Sequence, residues 1–241
     1  MVFYLVGLGL SEMSLSLEAM EALKGCDEIY LEGYTVSFPY SVDKLKAVLG
    51  LGFKLLGRKE LEEESFLDGA DKKNIALMVY GDPLLATTHY QLLLSCKREK
   101  IKTKVFHNAS VLGAVSNSGL SPYKFGKTAS VPDWKEHTNK PTSFASYLKE
   151  NRKIGAHSLV LFDIGLDFRE GLEELLAACE KENLKIEKAV VFSRLGTEDE
   201  KIFYGALEKL NGLNILEPYC MVIPAKLNFF EEKSLEEFSI P

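Results

Sequence analysis

NIALMVYGDPLLATTH, residues 74–89, decides how the rest of the chain is read. Its first seven residues are apolar almost throughout, without the polar alternation of a strand wetted on one face. That is the pattern of a strand buried on both sides of a parallel sheet. The run stops at Gly81-Asp82-Pro83. Glycine permits a sharp turn, aspartate caps a helix, and proline suits a first helical position, so a helix is expected over 83–100. Thr87 and Thr88 are poor helix formers whose hydroxyls invite a polar partner. In open α/β sheets the loop after a parallel strand is also where ligands sit.

Working outward, the same alternation repeats. Strands are expected at 2–8, 27–34, 53–57 and 102–107, with helices at 14–25, 41–50 and 58–66 between them. This predicts a parallel sheet covered on both faces. The turn formers of SNSGLSP, 116–122, mark a boundary, giving domains 1–115 and 116–241. The second half offers strands at 157–164, 187–194, 200–205 and 219–224, with helices around 142–152, 169–182 and 206–210. The pair AVVFSR and KIFYG reads as an antiparallel hairpin, so the second sheet is expected to be mixed. The fold class is α/β in both domains.

The totals exclude several classes. In 241 residues, 46% are hydrophobic, enough for a sizeable core and too many for a disordered chain. The net charge of −6 argues against a grip on nucleic-acid phosphates. KREKIKTK, 97–104, reads as a solvated helix end, with a surface for an acidic protein as the alternative. Cys26, Cys96, Cys179 and Cys220 form no C-x-x-C pair and lie near no histidine at zinc spacing, so neither a metal site nor a disulfide framework is expected. Free thiols suit a reducing compartment. No signal peptide or membrane span is read, and a cytoplasmic protein is expected.

Three strand ends carry the candidate chemistry. VGLGLSE, 6–12, has a glycine pair, but Glu12 stands where a dinucleotide loop needs a third glycine, so it reads as a tight turn that lets a flat group approach the backbone. Gly81-Asp82-Pro83 brings a carboxylate, which suits a cationic ligand better than a phosphate. FHNASVLGAV, 106–115, ends a third strand in His107-Asn108 with Ser110 opening a helix. No phosphate-binding lysine loop is present. His89 and His107 are read either as proton acceptors or as structural residues.

GDPLLATTH, HNASVLGAV, GLSPYKFGKTASVP and HSLVLFDI, in this order and spacing, resemble the diphthine synthases. These are a branch of the tetrapyrrole-methylase superfamily of S-adenosylmethionine-dependent methyltransferases. The resemblance runs from VFYLVGLGL to VIPAKL. It implies two α/β domains with the methyl donor in the cleft between them, and a homodimer. It implies methylation of the amino group on the modified histidine of elongation factor 2, in diphthamide synthesis. Archaeal members stop at the trimethylated product; eukaryotic members also methylate the carboxylate. Three amino methylations are expected here, with S-adenosylhomocysteine as the other product and no nucleic-acid or membrane partner.

Carried over by position, the donor pocket would comprise Leu10, Asp82, Leu85, Ser110 and Val111 from the first domain and Phe162, Leu195 and Tyr219 from the second. The last three differ in kind from the family pattern, which has an aliphatic residue, a small residue and a histidine at these places. Contacts made through the backbone would tolerate such changes. The segment after Ile164, GLDFREGLEELLAACEKENLKIE, is shorter than its family counterpart, and the tail NFFEEKSLEEFSIP is acidic. No catalytic side chain and no metal ligand is assigned. Two alternatives stand beside this reading: a superfamily methyltransferase with another acceptor, a tetrapyrrole or ribosomal RNA nucleoside, and a non-catalytic binding module on the same fold.

Overall fold

Every residue of β4 (Ile75–Val79) is buried, because helices cover both faces of its sheet. The computed structural model describes residues 1–241 and divides into two units, Met1–Val111 and Leu112–Pro241.

In the first unit β1 (Val2–Gly7), β2 (Glu28–Glu32), β3 (Lys54–Leu56), β4 and β5 (Lys102–Phe106) form one sheet in the order β3-β2-β4-β1-β5. All four strand pairings are parallel. The two-residue period of a strand sorts the core. Ile75, Leu77 and Val79 pack with Leu92 and Cys96 of α4 (Tyr90–Arg98) and Leu61 of α3 (Arg58–Glu62). Ala76 and Met78 face the other way, onto Ala19 and Leu23 of α1 (Leu17–Lys24) and Leu45 and Leu49 of α2 (Val42–Leu49). Ser16 and Ser41 cap α1 and α2 by accepting the N–H groups of Ala19 and Lys44, both at 3.1 Å.

The register matters for function. Gly7 stands opposite Val79, and Val6 opposite Phe106. Strands β4, β1 and β5 therefore end in one row, and the three loops that follow emerge side by side.

The second unit begins within a single helical turn, α5 (Val111–Ala114). Its sheet runs β6 (Ala129–Val131), β7 (Ser158–Phe162), β10 (Tyr219–Ile223), β8 (Lys188–Ser193), β9 (Lys201–Ala206) in space. β6 and β7 are parallel and the other pairings antiparallel, with β8 and β9 as the hairpin read from the sequence. Val160, Val191 and Met221 pack under α6 (Phe144–Lys153), α7 (Phe168–Lys181) and α8 (Leu207–Asn211). The acidic tail is ordered as α9 (Phe229–Glu236), opened by a reciprocal cap between Asn228 and Glu231. Beyond it, Ile240 donates its N–H to Tyr204 O (3.0 Å) along the β9 edge. No helix is long and apolar enough to cross a membrane.

Candidate functional site

The loops after β1 and β4 are zipped together. Gly9 and Gly81 exchange both backbone hydrogen bonds, at 3.1 and 2.9 Å, and Leu8 N–H donates to Val79 O at 2.8 Å. Both glycines have positive φ, +73° and +72°. Gly7 is required for a different reason: an added Cβ would lie 2.7 Å from Gly81 O and 2.8 Å from Pro83 Cδ. The hydroxyl of Tyr80 donates to Leu10 O at 3.0 Å, fixing the backbone where Leu10 sits, while the Leu10 side chain is buried.

Asp82 closes the third loop onto the other two. Its carboxylate is buried and fully engaged. Oδ1 accepts Leu84 N–H (3.0 Å), and Oδ2 accepts His107 Nδ1–H (2.8 Å) and Asn108 N–H (3.2 Å). Asn108 extends the tie: its amide donates to Gly7 O (2.9 Å) and Ser14 O (3.0 Å). The loops bearing Leu10, Asp82, Ser110 and Val111 are thus cross-bonded. The sequence showed Asn108 only as part of a polar cluster; its long-range partners were invisible there.

The expected helix over 83–100 begins instead at Tyr90. Asp82 spends Oδ1 on a local turn, and Ala86 adopts a left-handed φ of +56° that ends helical geometry. Thr87 Oγ1 accepts His89 N–H (3.2 Å) and pairs with His89 Nδ1 (2.7 Å), giving the hydroxyl its partner. The result is a loop, 83–88, on which Leu85 is 44% exposed. His89 is buried behind it, with Nε2 lacking a hydrogen-bond partner. Burial lowers the His89 pKa against the pull of Glu32. Glu32 is itself buried at the end of β2, accepting Tyr34 N–H (3.0 Å), Thr35 N–H (2.7 Å) and the Thr35 hydroxyl. His107, by contrast, has a largely exposed ring held by Asp82.

In the second unit Phe162 and Tyr219 stand together, ring centroids 5.0 Å apart. Both side chains are committed to packing. Phe162 fills the space over Gly171 of α7, where a Cβ would meet its ring at 2.7 Å. Tyr219 packs edge-on against Phe168 and donates its hydroxyl to Leu166 O at 2.7 Å. Burial drives the Tyr219 phenol well above its usual range. Leu195 is buried, just after Ser193, the β8 partner of Tyr219. Before it, Arg194 holds φ +54° through N–H to Pro218 O (2.8 Å) and Nε–H to Glu217 O (3.0 Å).

The chemistry of this donor set fits S-adenosylmethionine. The three cross-bonded loops carry no lysine or arginine to pair with a phosphate. They offer backbone polar groups, apolar side chains and a glycine-permitted close approach. Burial holds all four thiols protonated near neutral pH, pushing Cys26 and Cys96 up to about 11, Cys179 to about 12 and Cys220 well above the usual thiol range.

Residues 2–211 match the tetrapyrrole (corrin/porphyrin) methylase family. Among curated proteins, the diphthine synthase of Methanothermobacter thermautotrophicus is 37% identical over 257 residues, covering 99% of this chain and 96% of that protein. The human diphthine methyl ester synthase is 30% identical over 274 residues, covering 100% and 96%. A crystal structure of diphthine synthase superposes with a TM-score of 0.89 at 34% identity, covering 99% and 96% of the two chains.

Proposed function

The chain belongs to the tetrapyrrole methylase family, and from that premise we propose that it uses S-adenosylmethionine to methylate, three times, the amino group on the modified histidine of elongation factor 2. It is a methyltransferase of the diphthine synthase kind, acting in diphthamide biosynthesis. The observation that carries the reading is the row of three cross-bonded loops at the ends of β1, β4 and β5, closed by Asp82.

When bound, the donor supplies a methyl group on a positively charged sulfur. The protein's task is to hold it in line with an attacking amine, and alignment accounts for several kcal/mol of such barriers. In this proposal Leu10, Leu85, Ser110 and Val111 contact the donor. Asp82 acts by fixing the loop that presents them, since its oxygens are occupied within the protein. In the second unit, Phe162, Leu195 and Tyr219 contribute through their backbone, their side chains being packed elsewhere. The amine attacks in its neutral form. An α-amino group titrates at about 7.7–8.0, so a useful fraction is neutral near pH 7 without a dedicated base.

The four free cysteines fit a reducing compartment, and the cytoplasm is the proposed setting. A homodimer is the proposed assembly, on the family resemblance. The two units are proposed to work as domains, the first carrying the donor loops.

The test is incubation of purified protein with labelled S-adenosylmethionine and elongation factor 2 bearing the unmethylated intermediate, followed by mass spectrometry of the target peptide. Three added methyls are expected. A fourth, lost on mild alkaline hydrolysis, would assign the methyl ester reaction instead. No transfer despite donor binding would point to another acceptor, and no donor binding would leave a binding module.

A further inference from the structure

At the far end of the second sheet from Phe162, Leu195 and Tyr219 lies a groove of about 490 Å³. It is bounded by the end of α6, the entry to β8, the middle of β9 and the exit of β10. Five-residue strands rising about 3.3 Å per residue separate it from those three residues by about 15 Å. Its floor is apolar, with Leu184, Ile186, Ile223 and Leu227. Its walls carry Arg152, Lys185, Lys188 and Lys226. Glu187 is the one carboxylate of the lining, and it pairs with Lys185 at 3.2 Å. Arg152, Lys188 and Lys226 form no salt bridge; Arg152 donates to Lys185 O at 2.8 Å, and Lys188 lies over the Tyr204 ring. In a chain of net charge −6, this is a locally cationic, apolar-floored groove.

Next to the groove in sequence stand exposed aromatics: Phe229 and Phe230 follow Leu227 of its lining, and Tyr123 precedes Lys124, which reaches Lys226 O. Tyr123 is 100% exposed, Phe229 71% and Phe230 78%. The backbone segments that carry them are tied together by a partly buried network. Lys124 Nζ donates to Lys226 O (2.6 Å) and Glu231 Oε2 (2.7 Å), and Glu231 Oε1 accepts from His157 (3.0 Å) and Ser121 N–H (3.2 Å). Exposed aromatics and an unpaired arginine are of the kinds enriched at protein interfaces.

We infer that this groove and these aromatics dock an acidic segment, anchored by apolar residues, of the macromolecular acceptor, at a distance from the reacting histidine. The charge sign selects the partner: unpaired cations in an acidic chain attract carboxylates, while the chain's overall charge opposes a nucleic acid. The inference rests on the proposed acceptor, elongation factor 2, for the identity of the probe. Binding to a remote part of a large substrate would hold it while the donor loops act.

The experiment measures binding of elongation factor 2, bearing the unmethylated intermediate, to wild type and to an Arg152→Glu/Lys188→Glu/Lys226→Glu variant by biolayer interferometry at two salt concentrations. All three side chains are exposed, and the donor affinity of the variant, read by calorimetry, reports that it is folded. Affinity is expected to fall about tenfold or more, with the wild-type affinity salt-sensitive and donor affinity by calorimetry unchanged. A second variant, Tyr123→Ser/Phe230→Ser, is expected to weaken binding while keeping the salt dependence. Equal affinity for wild type and the charge variant overturns the inference, as does a wild type that binds no factor. A charge variant that turns from dimer to monomer in sedimentation also overturns it, by assigning the groove to a second copy. Methyl transfer is scored separately, so transfer without groove-dependent binding leaves the function standing and removes only the docking site.

Discussion

Asp82 Oδ2 accepts the backbone N–H of Asn108 at 3.2 Å, joining the turn after β4 to the turn after β5 across 26 residues of sequence. The same oxygen holds His107, and the other oxygen closes the local turn at Leu84. A carboxylate suits this place because every group around it is a donor. Asn at position 82 would aim an NH₂ group at one of these donors. Asp82→Asn is therefore expected to cost about 2 kcal/mol of stability, as for a buried charge-assisted bond. Donor affinity is expected to drop about tenfold as the loop loosens. Calorimetric titration with S-adenosylmethionine and a urea melt check this. Undiminished affinity would show that the loop keeps its shape without the carboxylate.

Gly7 tests the cradle from another direction. An alanine there needs the turn at Gly81 and Pro83 to move, since its Cβ would fall 2.7–2.8 Å from both. Gly7→Ala is expected to destabilise by about 2 kcal/mol or more and to abolish measurable donor binding. Gly52 has open space around it, so Gly52→Ala should melt within about 0.5 kcal/mol of wild type. Matched melts of the two variants would contradict the close-approach argument.

These two positions also show what a sequence discloses. The apolar run of β4 and the strand–helix alternation are local patterns set by the period of each element, and the parallel sheet followed from them. Gly81-Asp82-Pro83 misled about α4 because its local grammar suits a helix start. The acceptors of Asp82 were claimed by residues 25 and 26 positions away, which no local pattern records. β6 was missed because three residues carry no period. α9 was missed although Asn228 and Glu231 spell a capping pair, since its surface is dense in acids. Phe162 and Tyr219 were assigned by position alone, and their side chains turn into the core because Gly171 and Leu166 O receive them.

Acid should destabilise the protein in two windows. Ala225 donates its N–H to His157 Nδ1 (2.9 Å), so the His157 proton sits on Nε2 and reaches Glu231. Burial lowers the His157 pKa, so the native ring stays neutral while the unfolded ring protonates below about 6.5. Stability from this group is lost as pH falls through that value. Burial alone would raise the Glu231 carboxyl. Lys124, His157 and the Asn228 and Ser121 N–H groups more than offset it and hold it at about 2. Its contribution is complete above about 4.5 and fades as pH falls toward 2. Urea midpoints measured at pH 7, 6 and 5 are expected to fall more steeply for wild type than for His157→Gln, by up to about 1.4 kcal/mol per pH unit. Parallel curves would mean that the native ring takes up its proton as readily as the unfolded one. His89, lowered by burial in the same way, titrates in both proteins and cancels in the comparison.

Tyr219 separates a side-chain contact from a backbone contact. Its hydroxyl is spent on Leu166 O at 2.7 Å, and its ring lies between Phe162 and Phe168. Its backbone, paired with Ser193, is what remains to offer a ligand. Tyr219→Phe keeps the ring and the backbone while removing the hydroxyl. It is expected to lower stability by about 1 kcal/mol, the worth of a hydrogen bond to a buried carbonyl, and to leave donor affinity within about twofold. A tenfold loss of affinity with unchanged stability would mean that the phenol leaves Leu166 to meet the donor. Retained affinity would instead support a contact made by the backbone at Tyr219, which is indifferent to the side chain above it.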